Sequence, residues 1–170
     1  MTKRRVHDNE MHAQFVTFSC YHRRRLLDHD RAKKIVVSYL AMELYTAGGT
    51  CSGFVVMPDH VHAIVWFPEP QCLGDFVKQW KQRSSRQIKS LYRDHLHGYA
   101  AKFDLSQPIW QARYYPFNLY SEAKAEEKLD YINKNPVTAG LVERAVDWPF
   151  SSARFWLLGK SVGVRLGWVF

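Results

Sequence analysis

The stretch TCSGFVVMPDHVHAIVWF, residues 50–67, constrains this chain more than any other part of it. Thr50–Met57 and His60–Phe67 are rich in β-branched and aromatic residues, which suit a pleated, half-buried surface. Pro58-Asp59 between them is turn chemistry, because proline presets φ for the first central position of a turn. The reading is an antiparallel hairpin, closed by Pro68 and Pro70. On its second strand, side chains two apart share a face, so His60 and His62 point one way with Ile64 and Trp66. Val61, Ala63, Val65 and Phe67 point the other way.

The flanking patterns supply the rest of the architecture. Gln14–Cys20 (QFVTFSC) reads as a strand, followed by a basic turn at Tyr21–Arg25. Asp28 to about Tyr45 is helical: Val36, Leu40 and Leu44 form an i, i+4 stripe, Asp28 or Asp30 caps its start, and Gly48-Gly49 ends it. A longer amphipathic helix runs from Leu73 to Tyr92, with Leu73, Phe76, Val77, Trp80, Ile88 and Leu91 facing inward. His95–Gln107 reads as loop. Arg113–Tyr120 reads as a strand that Pro116 makes an edge or a bulged one. Ser121 caps a helix from Glu122 to about Lys134, which Asn135-Pro136 stops. A short apolar helix spans Ala153–Leu158. The order implies an α+β domain: a ferredoxin-like antiparallel β-sheet with helices packed on one face. No repeat or linker interrupts it, so residues 1–170 are expected to form one domain, with a core of about 14–152 and a short C-terminal tail.

Charge and composition narrow the partners. The net charge of +8 favours a polyanion, and aromatic residues, 15% of the chain, can stack on unpaired bases as well as fill a core. Arg23, Arg24 and Arg25, with Lys78 and Lys81 on the long helix, are candidates for phosphate contacts; Trp110, Arg113 and Tyr114 are candidates for the same nucleic-acid surface. Three cysteines without a close pair support neither a disulfide framework nor a cysteine zinc site and fit a reducing cytoplasm. No apolar segment follows the basic start, and no run of about 18 apolar residues exists, so neither a signal peptide nor a membrane span is expected.

Two imidazoles one strand-step apart can share a metal ion, or can simply be polar residues on an open sheet face. His95-Leu96-His97 has the same form but sits at a helix end, where positions two apart diverge. A further ligand is needed, and Asn135 offers an oxygen suited to a hard divalent ion. Tyr131 lies four residues earlier, on the same helical face. A phenol is a possible covalent nucleophile, although a free one titrates at about 10 and needs help from a metal or base. Tyr114, Tyr115 and Tyr120 lack such an amide partner in a clear helix.

Taken together, PDHVH on a strand and DYINKNPVTAGLV on a later helix resemble the single-tyrosine HUH transposases, in particular the REP-associated tyrosine transposases. IWQARYY (residues 109–115) and DWPFSS (residues 147–152) are similar to flanking blocks of that family. The resemblance runs from about Phe15 to Ser152. It implies an enzyme that cleaves and rejoins single-stranded DNA near a hairpin, without ATP, through a covalent 5′-phosphotyrosine. It implies Tyr131 as nucleophile, and His60, His62 and Asn135 as ligands of Mg²⁺ or Mn²⁺. A monomer is favoured and a homodimer is possible. Pro116 departs from the acidic residue that many relatives carry after this block. Asp59 is expected to point away from the metal, as turn chemistry or as support for a ligand. The rival readings are a nucleic-acid-binding module of the same fold without chemistry, and a metal-dependent hydrolase that uses water.

Overall fold

The structure, a computed structural model, describes residues 11–170. Four strands, β1 (Ala13–Ser19), β2 (Thr50–Val56), β3 (His60–Trp66) and β4 (Tyr115–Leu119), form one sheet in the order β2-β3-β1-β4. Every neighbouring pair is antiparallel. The helices are α1 (Asp30–Ala47), α2 (Cys72–His95), α3 (His97–Ala100), α4 (Glu122–Thr138) and α5 (Ala153–Leu158). This is the ferredoxin-like arrangement: β3 pairs between β1 and β2, so α1 must cross over it to join them.

The alternation along β3 decides what each face does. Val61, Ala63 and Val65 enter the main core with Phe18, Leu40 and Trp80, roofed by α1 and α2. Each fully buried Val, Leu or Phe side chain among these contributes about 1.5–3 kcal/mol. Ile64, with the two histidines on its side of the strand, faces a smaller cluster of Phe15, Val55 and Met57. Here the architecture differs from the expected one-sided packing. α1 and α2 lie on the expected face, but α4 covers the other, laying Ala125 and Ile132 on that cluster. Phe15, Val55 and Ile64 would otherwise be left in water.

Several boundaries also differ. α4 does not stop at Asn135 but continues through Pro136 to Thr138. Proline forfeits one intrahelical bond, yet Pro136 is buried and the helix closes one turn later. There Gly140 adopts φ 71°; Leu141 N–H donates to Pro136 O at 2.9 Å and Gly140 N–H to Val137 O at 2.9 Å. His29, not Asp28 or Asp30, caps α1, its ring accepting from Arg31 N–H. The stretch after α2 contains α3, held by stacking of Tyr92, Tyr99 and Phe103. Among the described residues β4 pairs with β1 alone, which is where a strand tolerates Pro116.

The outer edge of β2 is also covered. Val56 N–H donates to Phe150 O and Ser152 N–H to Phe54 O, and Gly167 near the C-terminus bonds Cys51 and Ser52. Ser52 is an extra residue in β2, because pairing with β3 slips between Cys51 and Gly53.

Candidate active site

Three strands and a helix converge on His62. Strand pairing places Val55, His62, Thr17 and Tyr115 in one row across the sheet, and Gly53, Ile64, Phe15 and Phe117 in the next. Paired residues in an antiparallel sheet share a face, so all these side chains belong to the surface that α4 partly covers.

The two imidazoles lie with centroids 4.8 Å apart at 74°. Each is held at Nδ1 by a different neighbour. Asp59 Oδ1 lies 2.7 Å from His60 Nδ1. A carboxylate only accepts, so that nitrogen carries the proton and the lone pair is left on Nε2. Thr17 Oγ1 lies 2.7 Å from His62 Nδ1. With the same tautomer, His62 donates to the hydroxyl and also presents an Nε2 lone pair. Phe15 stacks on its ring at 5.2 Å. Asp59 in turn binds Arg23 at 3.0 Å, and Arg23 donates to Ser19 Oγ. The acidic turn residue therefore supports a ring from behind.

His62 is buried, and its Nε2 has no hydrogen-bond partner. Such an orphan costs about 1–3 kcal/mol. Burial, then the nearby charges of His60, Arg23 and Lys128, push its pKa down to about 3. A neutral ring with an unengaged lone pair beside a second imidazole is what a metal ligand requires. The residues present therefore fit a divalent ion. Among the described residues no third His, Cys, Asp or Glu completes a cluster, so a further donor has to be an oxygen of another kind.

α4 brings up the remaining candidates. Tyr131 lies with its ring 5.3 Å from that of His62 and 6.1 Å from that of Phe15, and it remains 48% exposed. Asn135 follows it by four residues on the same helical face and is half-buried. The seat of α4 is set by Gly53. A Cβ there would lie 2.4 Å from Leu129 Cδ1 and 3.2 Å from Ser152 Oγ, so with Leu129 in its present rotamer any larger residue would push against the helix. Ser152 donates to the buried Asn133 Oδ1 at 2.8 Å and bonds Phe54 of β2, tying helix to strand. The DWPFSS block thus acts as a clamp on the tyrosine helix. The His95 and His97 pair does not meet on one face: His95 ends α2 and His97 opens α3.

The candidate nucleic-acid residues separate. Arg23 reaches the site. Arg24 donates to Tyr21 O and Pro108 O, and Arg25 grips Asp28 with a shortest contact of 2.7 Å. Lys81 donates to Gln111 O at 2.6 Å and Ala112 O at 2.9 Å, and burial lowers its pKa. It fastens the segment before β4 rather than offering its charge to a phosphate. Trp110 is 5% exposed, set edge-on against Phe18 and donating to Ser84 Oγ. This corrects its reading as a stacking platform, since no ring face is open to a base. Lys78 and the half-buried Tyr114 line one small cavity of about 240 Å³ beside α2, and Arg113 is exposed. Thr17, Gly53 and the Asn133–Ser152 pair are residues that sequence reasoning missed. The period-two pattern of β1 gives the side of Thr17, but nothing local gives its register against β3.

The sequence model of the IS200-like transposases matches residues 7–135. A protein of Haemophilus influenzae assigned as a REP-associated tyrosine transposase is 28% identical over 131 residues, covering 72% of this chain and 73% of the relative. The fold is shared with a REP-associated tyrosine transposase solved bound to a REP hairpin: TM-score 0.72, 21% identity, covering 97% of this chain and 92% of that one. A protein from Deinococcus radiodurans assigned as a transposase aligns with TM-score 0.51 and 20% identity over 79% of this chain and 97% of its own.

Proposed function

The chain belongs to the IS200-like transposase family, and from that premise we propose that it cleaves and rejoins single-stranded DNA beside a hairpin, using Tyr131 as a covalent nucleophile. The observation that carries the reading is the placement of Tyr131, an exposed phenol, 5.3 Å from a buried His62 whose Nε2 is unengaged. The solved relative bound to a REP hairpin supports the choice of partner, as does the charge of +8.

His60, His62 and Asn135 are the residues that would hold Mg²⁺ or Mn²⁺, which supplies Lewis-acid polarisation of the scissile phosphate when bound. The rest falls to the chain itself. The Tyr131 hydroxyl attacks phosphorus in line and loses its proton to water, and the departing 3′ oxygen takes up a proton from water. The bond from phosphorus to the tyrosyl oxygen forms as the bond to the 3′ oxygen breaks. The products are a 5′-phosphotyrosine and a free 3′-hydroxyl. One ester replaces another, so the 3′-hydroxyl of another strand reverses the step without ATP. The strand has to be unpaired at the cut, because a phenol fixed on a helix needs a flexible backbone to align with it. No helix among the described residues is long and apolar enough to cross a membrane, and Cys20, Cys51 and Cys72 are free thiols, which accords with work in the cytoplasm.

The test is a labelled hairpin oligonucleotide with a single-stranded flank, incubated with Mn²⁺ and run on a denaturing gel. A slow protein–DNA band is expected. It should vanish in Tyr131→Phe and in His62→Ala but persist in His95→Ala. Cleavage that survives Tyr131→Phe would show water or another group to be the nucleophile, and hairpin binding without any cleavage would leave a binding module.

A further inference from the structure

Two exposed rings stand beside the site. In the β1–β4 register, Tyr115 pairs with Thr17 and Phe117 with Phe15, so both project from the face that carries His62. Phe15 is buried, but Tyr115 is 55% and Phe117 45% exposed. Between Phe117 and the nucleophile lies a cation: Lys128 Nζ sits 5.1 Å from the Phe15 centroid and 5.7 Å from those of Phe117 and Tyr131. A row of open rings ending at an ammonium, level with a nucleophile, has the chemistry of a nucleotide: bases for the rings, phosphate for the cation.

We propose that Tyr115, Phe117 and Lys128 form a nucleotide subsite, in which unpaired bases next to the scissile phosphate stack on the two β4 rings while their backbone phosphate meets Lys128. The proposal rests on the reading of this chain as acting on single-stranded DNA. It assigns base contact to the edge strand β4 and not to the buried Trp110. It also gives the edge position a use. Among the described residues no strand lies beyond β4, so a polynucleotide stacked on its rings lies at the edge of the sheet. The occupant is single-stranded nucleic acid rather than an apolar protein segment, because the rings flank a cation on a chain of net charge +8.

The probe is a thymidine homopolymer carrying one 2-aminopurine, whose emission falls when it stacks. Stacking on aromatic side chains tolerates any base, so no natural target sequence is needed. With Tyr131→Phe as the parent, to prevent cleavage, binding is read by anisotropy and stacking by quenching. Phe117→Leu and Tyr115→Leu, each added to the parent, are expected to weaken binding about tenfold per ring removed and to restore emission. Phe117→Trp, which keeps a ring, should retain both signals. Lys128→Met should weaken binding and flatten its salt dependence. Quenching unchanged by both leucine substitutions, or no binding by the parent, overturns the subsite. The two proposals fail separately. A Tyr131 adduct with hairpin DNA but no ring-dependent quenching removes the subsite alone, while ring-dependent quenching without any adduct removes the cleavage reading alone.

Discussion

Burial of His62 makes stability fall on the acid side in a way that one residue controls. In the unfolded chain this imidazole titrates at about 6.5, whereas in the fold it titrates at about 3. Between those values the unfolded state binds one more proton than the native one. Stability therefore rises with pH in that window. The contribution is fully present above the unfolded value and is lost as pH falls toward the folded one. At about 1.4 kcal/mol per unit, the loss reaches about 3 kcal/mol by pH 4.5 and about 5 kcal/mol by pH 3. The assay is urea unfolding at a series of pH values for the wild-type chain and His62→Gln, which keeps a polar side chain but cannot titrate. The difference between the two stability curves should be flat above pH 7. Below it, the difference should fall with a slope approaching one proton. Parallel curves from pH 7 to 4.5 would refute the argument, because they would mean that His62 is protonated as readily in the fold as outside it. At His62 protons compete with Mn²⁺ only as pH nears about 3, so the stabilisation that the ion gains from this ring should persist well below pH 6.5.

Further predictions concern the supports of the site. Thr17→Val keeps the shape and removes the partner of His62 Nδ1; Mn²⁺ affinity measured by calorimetry should fall about 10- to 100-fold, and an unchanged affinity would leave Thr17 a bystander. Gly53→Ala introduces a Cβ 2.4 Å from Leu129 Cδ1 and should lift α4. Since displacement by about 1 Å can cost 100-fold in rate, adduct formation should drop by that order, and Mn²⁺ affinity should fall with it because Asn135 rides on the same helix; a rate within twofold of wild type would mean that Leu129 simply turns aside. Trp110→Phe should cost about 2 kcal/mol in urea unfolding through lost packing and the lost bond to Ser84, with DNA affinity of the folded protein unchanged. A loss of affinity at constant stability would restore Trp110 to the binding surface.

Much of this arrangement is legible locally. The period of two in His60–Phe67 told which side the histidines take, because a strand between two neighbours has no freedom to rotate. The spacing of Tyr131 and Asn135 told that they share a helical face. What local pattern does not carry is the meeting of elements. α4 has few large apolar residues, so its periodicity does not say which sheet face it covers, and that choice depends on Phe15, Val55 and Ile64 far away in the chain. Asn135-Pro136 reads as a stop because proline loses a bond, but a buried proline one turn before a glycine cap leaves the helix intact. Trp110 and Phe117 are alike in composition and opposite in exposure. Trp110 lies in the segment that Lys81 ties down onto α2, while Phe117 stands on an edge strand whose site-facing side α4 leaves partly open.

Under the roles proposed for His62 and Tyr131, the division of work between strand and helix follows from what each residue must be. A ligand nitrogen has to stay neutral and give up its water, which a buried position on an inner strand enforces chiefly through desolvation, with the nearby charges adding to it. A nucleophile that becomes joined to a polymer has to remain at the surface, because the product cannot fit inside a core. His62 at 6% and Tyr131 at 48% exposure, with rings 5.3 Å apart, satisfy both demands at one boundary. That boundary exists only because α4 covers half of the second sheet face. Had the helix covered all of it, Tyr131 would be buried with Phe15, and had it covered none, His62 would be solvated and protonated below neutral pH. Gly53 and the Ser152–Asn133 clamp, which fix where α4 rests on β2, therefore govern the chemistry of two residues that neither of them touches.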